Sequence, residues 1–173
     1  MINIFHKKKR IPSKNVGLAL GSGSARGWSH IGVIRALAEA DIRVDYVAGT
    51  SIGALVGAVY ASGEIDALEE VVLQLDWKKI AYLFDVVYPK SGLIDGKKVS
   101  VFIQNHVKEI NIEDLSLPFC AVSTDLTTGD EVAIREGNII EAVRASISVP
   151  GIFTPVKKTA QFLLTVGWLT LSL

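Results

Sequence analysis

Position 51 is where chemistry is most legible in this sequence. Gly49-Thr50-Ser51-Ile52-Gly53 is a G-x-S-x-G pentapeptide between an apolar strand-like run and an apolar helix-like run, the context in which that spacing forms a nucleophile elbow. The turn is sharp and strained, so the residues flanking the serine must be small enough for strand and helix to pass closely. Gly49 and Gly53 meet that demand. Ser51 would then stand at a helix N-terminus, where the dipole favours a developing alkoxide and backbone N–H groups point at the reacting centre. The competing reading is a plain N-cap serine in a glycine-rich turn, and the pentapeptide alone does not separate the two.

A second element favours the chemical reading. Gly21-Ser22-Gly23-Ser24-Ala25-Arg26-Gly27 also lies between a strand-like and a helix-like run, and its backbone N–H groups can form a nest for an oxyanion. A nucleotide site is the rival, since G-x-G after a first strand belongs to dinucleotide folds. Here the third glycine comes one residue late, at Gly27, and there is no Walker lysine.

A serine hydrolase also needs a base. A Ser-His-Asp triad of the α/β-hydrolase order requires a histidine downstream of the serine, and only His106 follows Ser51. It falls in an amphipathic helical stretch and reads as a surface histidine, while His30 lies upstream in a helix. A carboxylate acting directly on Ser51 is the alternative. Asp95 of Asp95-Gly96 reads as a helix-entry residue, while Asp125, after an apolar strand, is the better placed substitute base, with a structural turn aspartate as the favoured reading.

The pairing of the Gly21 to Gly27 loop (G-x-G-x-x-R-G) with the Ser51 pentapeptide resembles the patatin-like phospholipases, most closely their bacterial cytoplasmic branch related to neuropathy target esterase. Ala145-Ser146-Ile147-Ser148-Val149-Pro150-Gly151-Ile152-Phe153, followed by Pro155, is similar to a further block of that family. The resemblance spans 16–156. It implies a serine-aspartate dyad with Ser51 as nucleophile and an oxyanion hole from the backbone of Gly21, Ser22, Gly23, Ser24 and Ala25, with Arg26 alongside. It also implies no metal, no cofactor, and hydrolysis of acyl esters in phospholipids or lysophospholipids.

In that family the aspartate comes in a D-G-G or D-G-A turn after a short strand beyond the proline block. This chain has Leu164-Thr165-Val166-Gly167 there. The stretch 164–173 can be encoded so that a one-base shift yields D-G-G-L-V-N-P-L-P, the family's continuation, with a stop codon falling just after Leu173. The expectation is a frameshifted, C-terminally truncated product without the dyad base. Positioning and oxyanion donors alone leave about 10³–10⁴ over water in other serine enzymes. An unpaired sheet edge and an uncovered apolar face would favour aggregation. A non-catalytic lipid- or partner-binding remnant of the same fold is the alternative.

The elements that must position these residues follow from periodicity. The spacing predicts a strand over 16–20 and a helix over 30–40, then a strand over 44–48 and a helix over 54–61 stopped by Ser62 and Gly63. Helices are expected over 65–75, 77–84 and 96–107, a strand over 117–123, a turn over 127–130 and a strand over 131–135. Asn138 should cap a helix reaching Ser146, before Pro150 and Gly151 break it. This alternation predicts an α/β fold, a mostly parallel central sheet with helices on both faces. The resemblance narrows it to a patatin-like three-layer sandwich over 16–173, preceded by a basic flexible tail over 1–15.

Bulk properties bound the remaining choices. With 173 residues and 49% apolar content the chain can bury a core. Its 18 basic and 18 acidic side chains leave no footprint of a nucleic-acid binder. The single Cys120 cannot form an internal disulfide and reads as a small buried core residue. No apolar run follows the basic residues His6, Lys7, Lys8, Lys9, Arg10 and Lys14, so no secretory signal is predicted and cytoplasmic residence is expected. That cluster could meet anionic lipid peripherally at the inner membrane surface, a solvated tail being the alternative. The apolar stretch 44–61 is interrupted by Asp45, Gly49, Thr50, Ser51, Gly53 and Gly57, which predicts a buried strand and helix, with no membrane span.

Overall fold

A computed structural model describes residues 15–74, 97–107, 109–148, 156–158 and 161–165. β1 (Gly17–Leu20) leads through a turn of 3-10 helix (Ser24–Trp28) into α1 (Ser29–Glu39). β2 (Tyr46–Thr50) passes through Ser51 into α2 (Ile52–Ala61), followed by α3 (Ile65–Leu73) and α4 (Lys97–His106). Then come β3 (Phe119–Asp125), β4 (Glu131–Ile134), α5 (Ile139–Ile147), β5 (Val156–Lys158) and β6 (Gln161–Leu164). The six strands form one sheet ordered β1-β2-β3-β6-β5, with β4 also on β3. β1, β2 and β3 run parallel, while β4 and the β5–β6 hairpin join antiparallel. This is the α/β architecture the strand and helix alternation implies.

α2 organises the interior. Its residues 52–59 are all buried, as expected of a helix that is apolar all round. It packs on β1, β2 and β3, and α5 packs beside it on β3. Leu55, Val56, Val59, Ile139 and Val143 are fully enclosed, each such side chain contributing about 1.5–3 kcal/mol. Gly63, with φ 81°, closes α2 in the left-handed conformation that glycine adopts without strain. Arg35 of α1 reaches Asp66 and Glu69 of α3, holding two surface helices together. Among the described residues no helix is long and apolar enough to cross a membrane.

The ladder register sets Ala19, Ala48 and Cys120 in one row. That row floors a groove of about 720 Å³, lined also by Tyr46, Ile112 and Arg135, at the amino ends of β1, β2 and β3. Cys120 therefore differs from its expected place: it is half-buried on this groove because strand alternation gives Phe119 and Ala121 to the core. Burial pushes its thiol pKa up, partly opposed by the Arg135 guanidinium.

Other departures are equally local. β2 starts at Tyr46 because Asp45 is spent as a side-chain acceptor for the Val16 N–H, at 2.8 Å. β3 runs on to Asp125 because β4 and β6 supply partners there. The helix expected over 77–84, the Pro150 break and the basic tail up to Lys14 lie outside the described residues.

The α5 cap is as expected. Asn138 Oδ1 accepts from the N–H groups of Ile140 at 2.9 Å and Glu141 at 3.1 Å. Removing such a cap costs about 0.5–2 kcal/mol. Asn138→Ala should therefore lower the unfolding free energy by that amount, seen by circular dichroism as a lower urea midpoint at an unchanged slope.

Candidate active site

Ser51 occupies the junction of β2 and α2 with φ 55° and ψ −123°. Such a conformation costs a non-glycine residue about 1–3 kcal/mol and persists only where its surroundings enforce it. The enforcing contacts are backbone to backbone. A Cβ on Gly49 would lie 2.3 Å from the carbonyl oxygen of Gly53, and one on Gly53 would lie 2.1 Å from that of Leu20. Strand and helix thus touch at the two positions where the sequence supplies glycine.

Ser51 is at the N-cap of α2, yet its side chain makes no capping hydrogen bond. Its carbonyl instead accepts from Ala54 N–H at 2.9 Å and Leu55 N–H at 3.2 Å. Its own N–H donates to Ser146 Oγ at 2.9 Å, and that hydroxyl donates to the Val122 carbonyl at 2.5 Å. The Ser51 hydroxyl, half-buried at the helix N-terminus, is thus not spent on capping α2. A cap serine would have used it.

The loop carrying Gly21, Ser22, Gly23, Ser24, Ala25 and Arg26 leaves the end of β1 and is exposed throughout. It is seated on the elbow by its last glycine: a Cβ on Gly27 would lie 2.1 Å from Ile52 Cγ2. Arg26 N–H donates to the Gly23 carbonyl at 3.0 Å, and Ser24 sits at φ 49°. His30, on α1, places its Nε2 2.9 Å from the Gly21 carbonyl. The loop and Gly49, Ser51 and Gly53 therefore share the carboxyl end of β1 and β2, the end at which open α/β sheets take ligands. The 720 Å³ groove lies at the opposite end of the strands and none of these residues lines it. Position relative to the strained serine outweighs volume in choosing between the two.

The carboxylates and histidines sort themselves by contact. Asp125 is a turn residue, its Oδ1 accepting the Thr127 N–H at 2.8 Å and its carbonyl the Gly129 N–H at 2.8 Å. His106 is less exposed than a surface residue because it lies on Phe102, ring centroids 4.4 Å apart, with Nδ1 2.7 Å from the Phe102 carbonyl. Asp95 lies outside the described residues.

Strand register locates one further residue. Val122 of β3 pairs with both Thr50 and Ala133, so β2 and β4 take opposite edges; Thr124 pairs with both Glu131 and Leu164, so β6 shares the β2 edge. β2 climbs that edge to Thr50 and β6 descends it to Leu164. Their next residues, Ser51 and Thr165, converge on Ser123 from opposite directions. The hydroxyls of Thr50, Ser123, Thr124 and Thr165, divided between the two faces of the sheet by strand alternation, are buried with no hydrogen-bond partner among the described residues. Such groups are rare in folded interiors, and water or a residue outside those described is the usual partner.

The family model of patatin-like phospholipases matches residues 18–163, which include both glycine motifs. The chain belongs to that family. An uncharacterised NTE family protein of Mycobacterium tuberculosis is 38% identical over 155 residues, covering 90% of this chain and 43% of its own. The mouse patatin-like phospholipase domain-containing protein 6 is 35% identical over 173 residues, covering 95% of this chain and 13% of its own. VipD of Legionella pneumophila shares the fold, with a TM-score of 0.60 at 17% identity over 90% of this chain and 46% of that one. The chain thus spans less than half the length of these patatin-like relatives.

Three contacts at this patatin-like site escape sequence reasoning. Ser146 lies in a recognised block, but periodicity cannot say which hydroxyl crosses to another element. His30 carries no signal beyond its distance from Gly21, and the β5–β6 hairpin is too short and broken to show a period. Gly53→Ala, which would drive a methyl group into the Leu20 carbonyl, should destabilise the fold by about 1–3 kcal/mol or more. A guanidinium titration checks this, and an unchanged midpoint would mean the contact relaxes freely.

Proposed function

We propose that this patatin-like chain is a serine acyl-ester hydrolase of the phospholipase or lysophospholipase class, with Ser51 as nucleophile. The carrying observation is the strained serine at a helix N-terminus whose hydroxyl is not used as a cap, with an exposed glycine loop seated on the next residue. In the reaction a base takes the Ser51 proton and the oxygen attacks the ester carbonyl. The N–H groups of the Gly21, Ser22, Gly23, Ser24 and Ala25 loop hold the oxyanion, with Arg26 alongside. Collapse expels the alcohol with the proton the base took, and water then releases the acid. Ile52 N–H, in the first turn of α2 without an intrahelical acceptor, is a further donor at the elbow. Phospholipid or lysophospholipid substrate would be met at a lipid surface, where Lys7, Lys8, Lys9 and Arg10 supply attraction to anionic headgroups.

The base of a Ser-Asp dyad is the part this chain lacks. The position that the resemblance reserves for it falls at 164–167, and Thr165 is the member of that stretch that meets Ser51 at Ser123. A threonine hydroxyl cannot accept the proton near neutral pH, so turnover should be low. The same observation favours the second reading, a lipid- or partner-binding remnant.

Fluorophosphonate labelling of the purified chain decides between them. Labelling that vanishes in Ser51→Ala supports a working nucleophile, and its absence from the unmodified chain favours the remnant. Thr165→Asp should raise both labelling and ester turnover at least about tenfold, positioned bases commonly contributing 10²–10⁴. No gain in a folded Thr165→Asp protein would sink the placement of the base.

A further inference from the structure

We propose that Ser146 is the positioning residue of the elbow: its hydroxyl fixes the Ser51 backbone in the strained conformation that presents the nucleophile. The inference rests on the reading of Ser51 as nucleophile and adds to it a specific anchor on α5. Ser146 is fully buried. A serine on a helix can turn its hydroxyl back on the carbonyl four residues earlier, and Ser148, at the C-cap of α5, does so, donating to the Arg144 carbonyl at 2.9 Å. Ser146 does not. It accepts from Ser51 N–H, 95 residues away in sequence, and donates to Val122.

Both ends of this relay matter. A hydroxyl has one proton, and giving it to the Val122 carbonyl aims the oxygen lone pairs toward Ser51. Val122 is the residue of β3 registered with Thr50, so one side chain spans the end of β2, the elbow and the neighbouring strand. The Ser51 N–H is also withdrawn from substrate by this bond. The elbow's contribution to an oxyanion hole therefore falls to Ile52, the residue on which Gly27 seats the loop. Without Ser146 the Ser51 N–H would be free to relax its peptide toward an ordinary N-cap geometry, which would turn the side chain away from the loop.

The test uses the full chain and three variants, Ser146→Ala, Ser146→Thr and Ser146→Cys, with Ser148→Ala as a control for loss of a buried helix hydroxyl. Two readouts are kept separate: hydrogen exchange at the Ser51 amide by NMR, and the second-order rate of fluorophosphonate labelling. Ser146→Ala should speed Ser51 exchange and slow labelling by about tenfold or more each, the loss expected when a buried N–H loses its acceptor. Exchange at Leu55 and Val143, and the thermal midpoint relative to Ser148→Ala, should hardly move. Ser146→Thr, which keeps the hydroxyl, should recover most of both. If the alanine variant does not fold, Ser146→Cys, similar in size with a weak hydrogen-bonding sulfur, should show the same pair of changes. Unchanged Ser51 exchange, or faster exchange with labelling unaltered, overturns the proposal. No label on either the unmodified chain or Thr165→Asp, while exchange behaves as described, overturns instead the nucleophile reading.

Discussion

The absence of side chains at two positions governs this structure. Gly53 brings α2 against the last carbonyl of β1, and Gly49 lets β2 turn back beneath that helix, at approaches of 2.1 and 2.3 Å for an imagined Cβ. Everything chemical follows from that proximity. A helix held so close to two parallel strands must be apolar on every side, as α2 is, and its N-terminus must emerge beside the loop that leaves β1. The serine between strand and helix is then pressed toward its strained conformation, with φ 55°. Strain of about 1–3 kcal/mol is small beside the burial of Leu55, Val56 and Val59, each worth about 1.5–3 kcal/mol, so the core comfortably holds the elbow in place.

How much of this could be read from the sequence depends on the range of the interaction. The elements β1, α1, α2 and α5 were legible because each is specified within its own span: an apolar period, a left-handed Gly63, an Asn138 cap. The elbow and the glycine loop were legible as motifs, since their glycines answer local demands of geometry. The contacts of Ser146 and His30 were not, and Thr165 was legible as a place in the family's pattern but not as a neighbour of Ser123. Each acts through a partner that only tertiary structure supplies, and the residues themselves are ordinary. Cys120 shows the limit from the other side, because an apolar run such as Phe119-Cys120-Ala121-Val122 says strand but cannot say which face is the core. The helix cover on α2 settles it.

The convergence at Ser123 separates scaffold from chemistry. β2 and β6 approach the same edge of β3 from opposite ends, so the sheet positions Ser51 and whatever side chain follows Leu164 without requiring that side chain to be reactive. A buried hydroxyl at Thr165 is only 6% exposed and its N–H donates to the Ser148 carbonyl at 2.7 Å, so the backbone there is held independently of what the side chain does. The same α5 that supplies Ser146 to the elbow ends at the Ser148 carbonyl that receives Thr165. One helix thus holds the backbone of both Ser51 and Thr165, and a carboxylate introduced at 165 would enter a place whose backbone is already built.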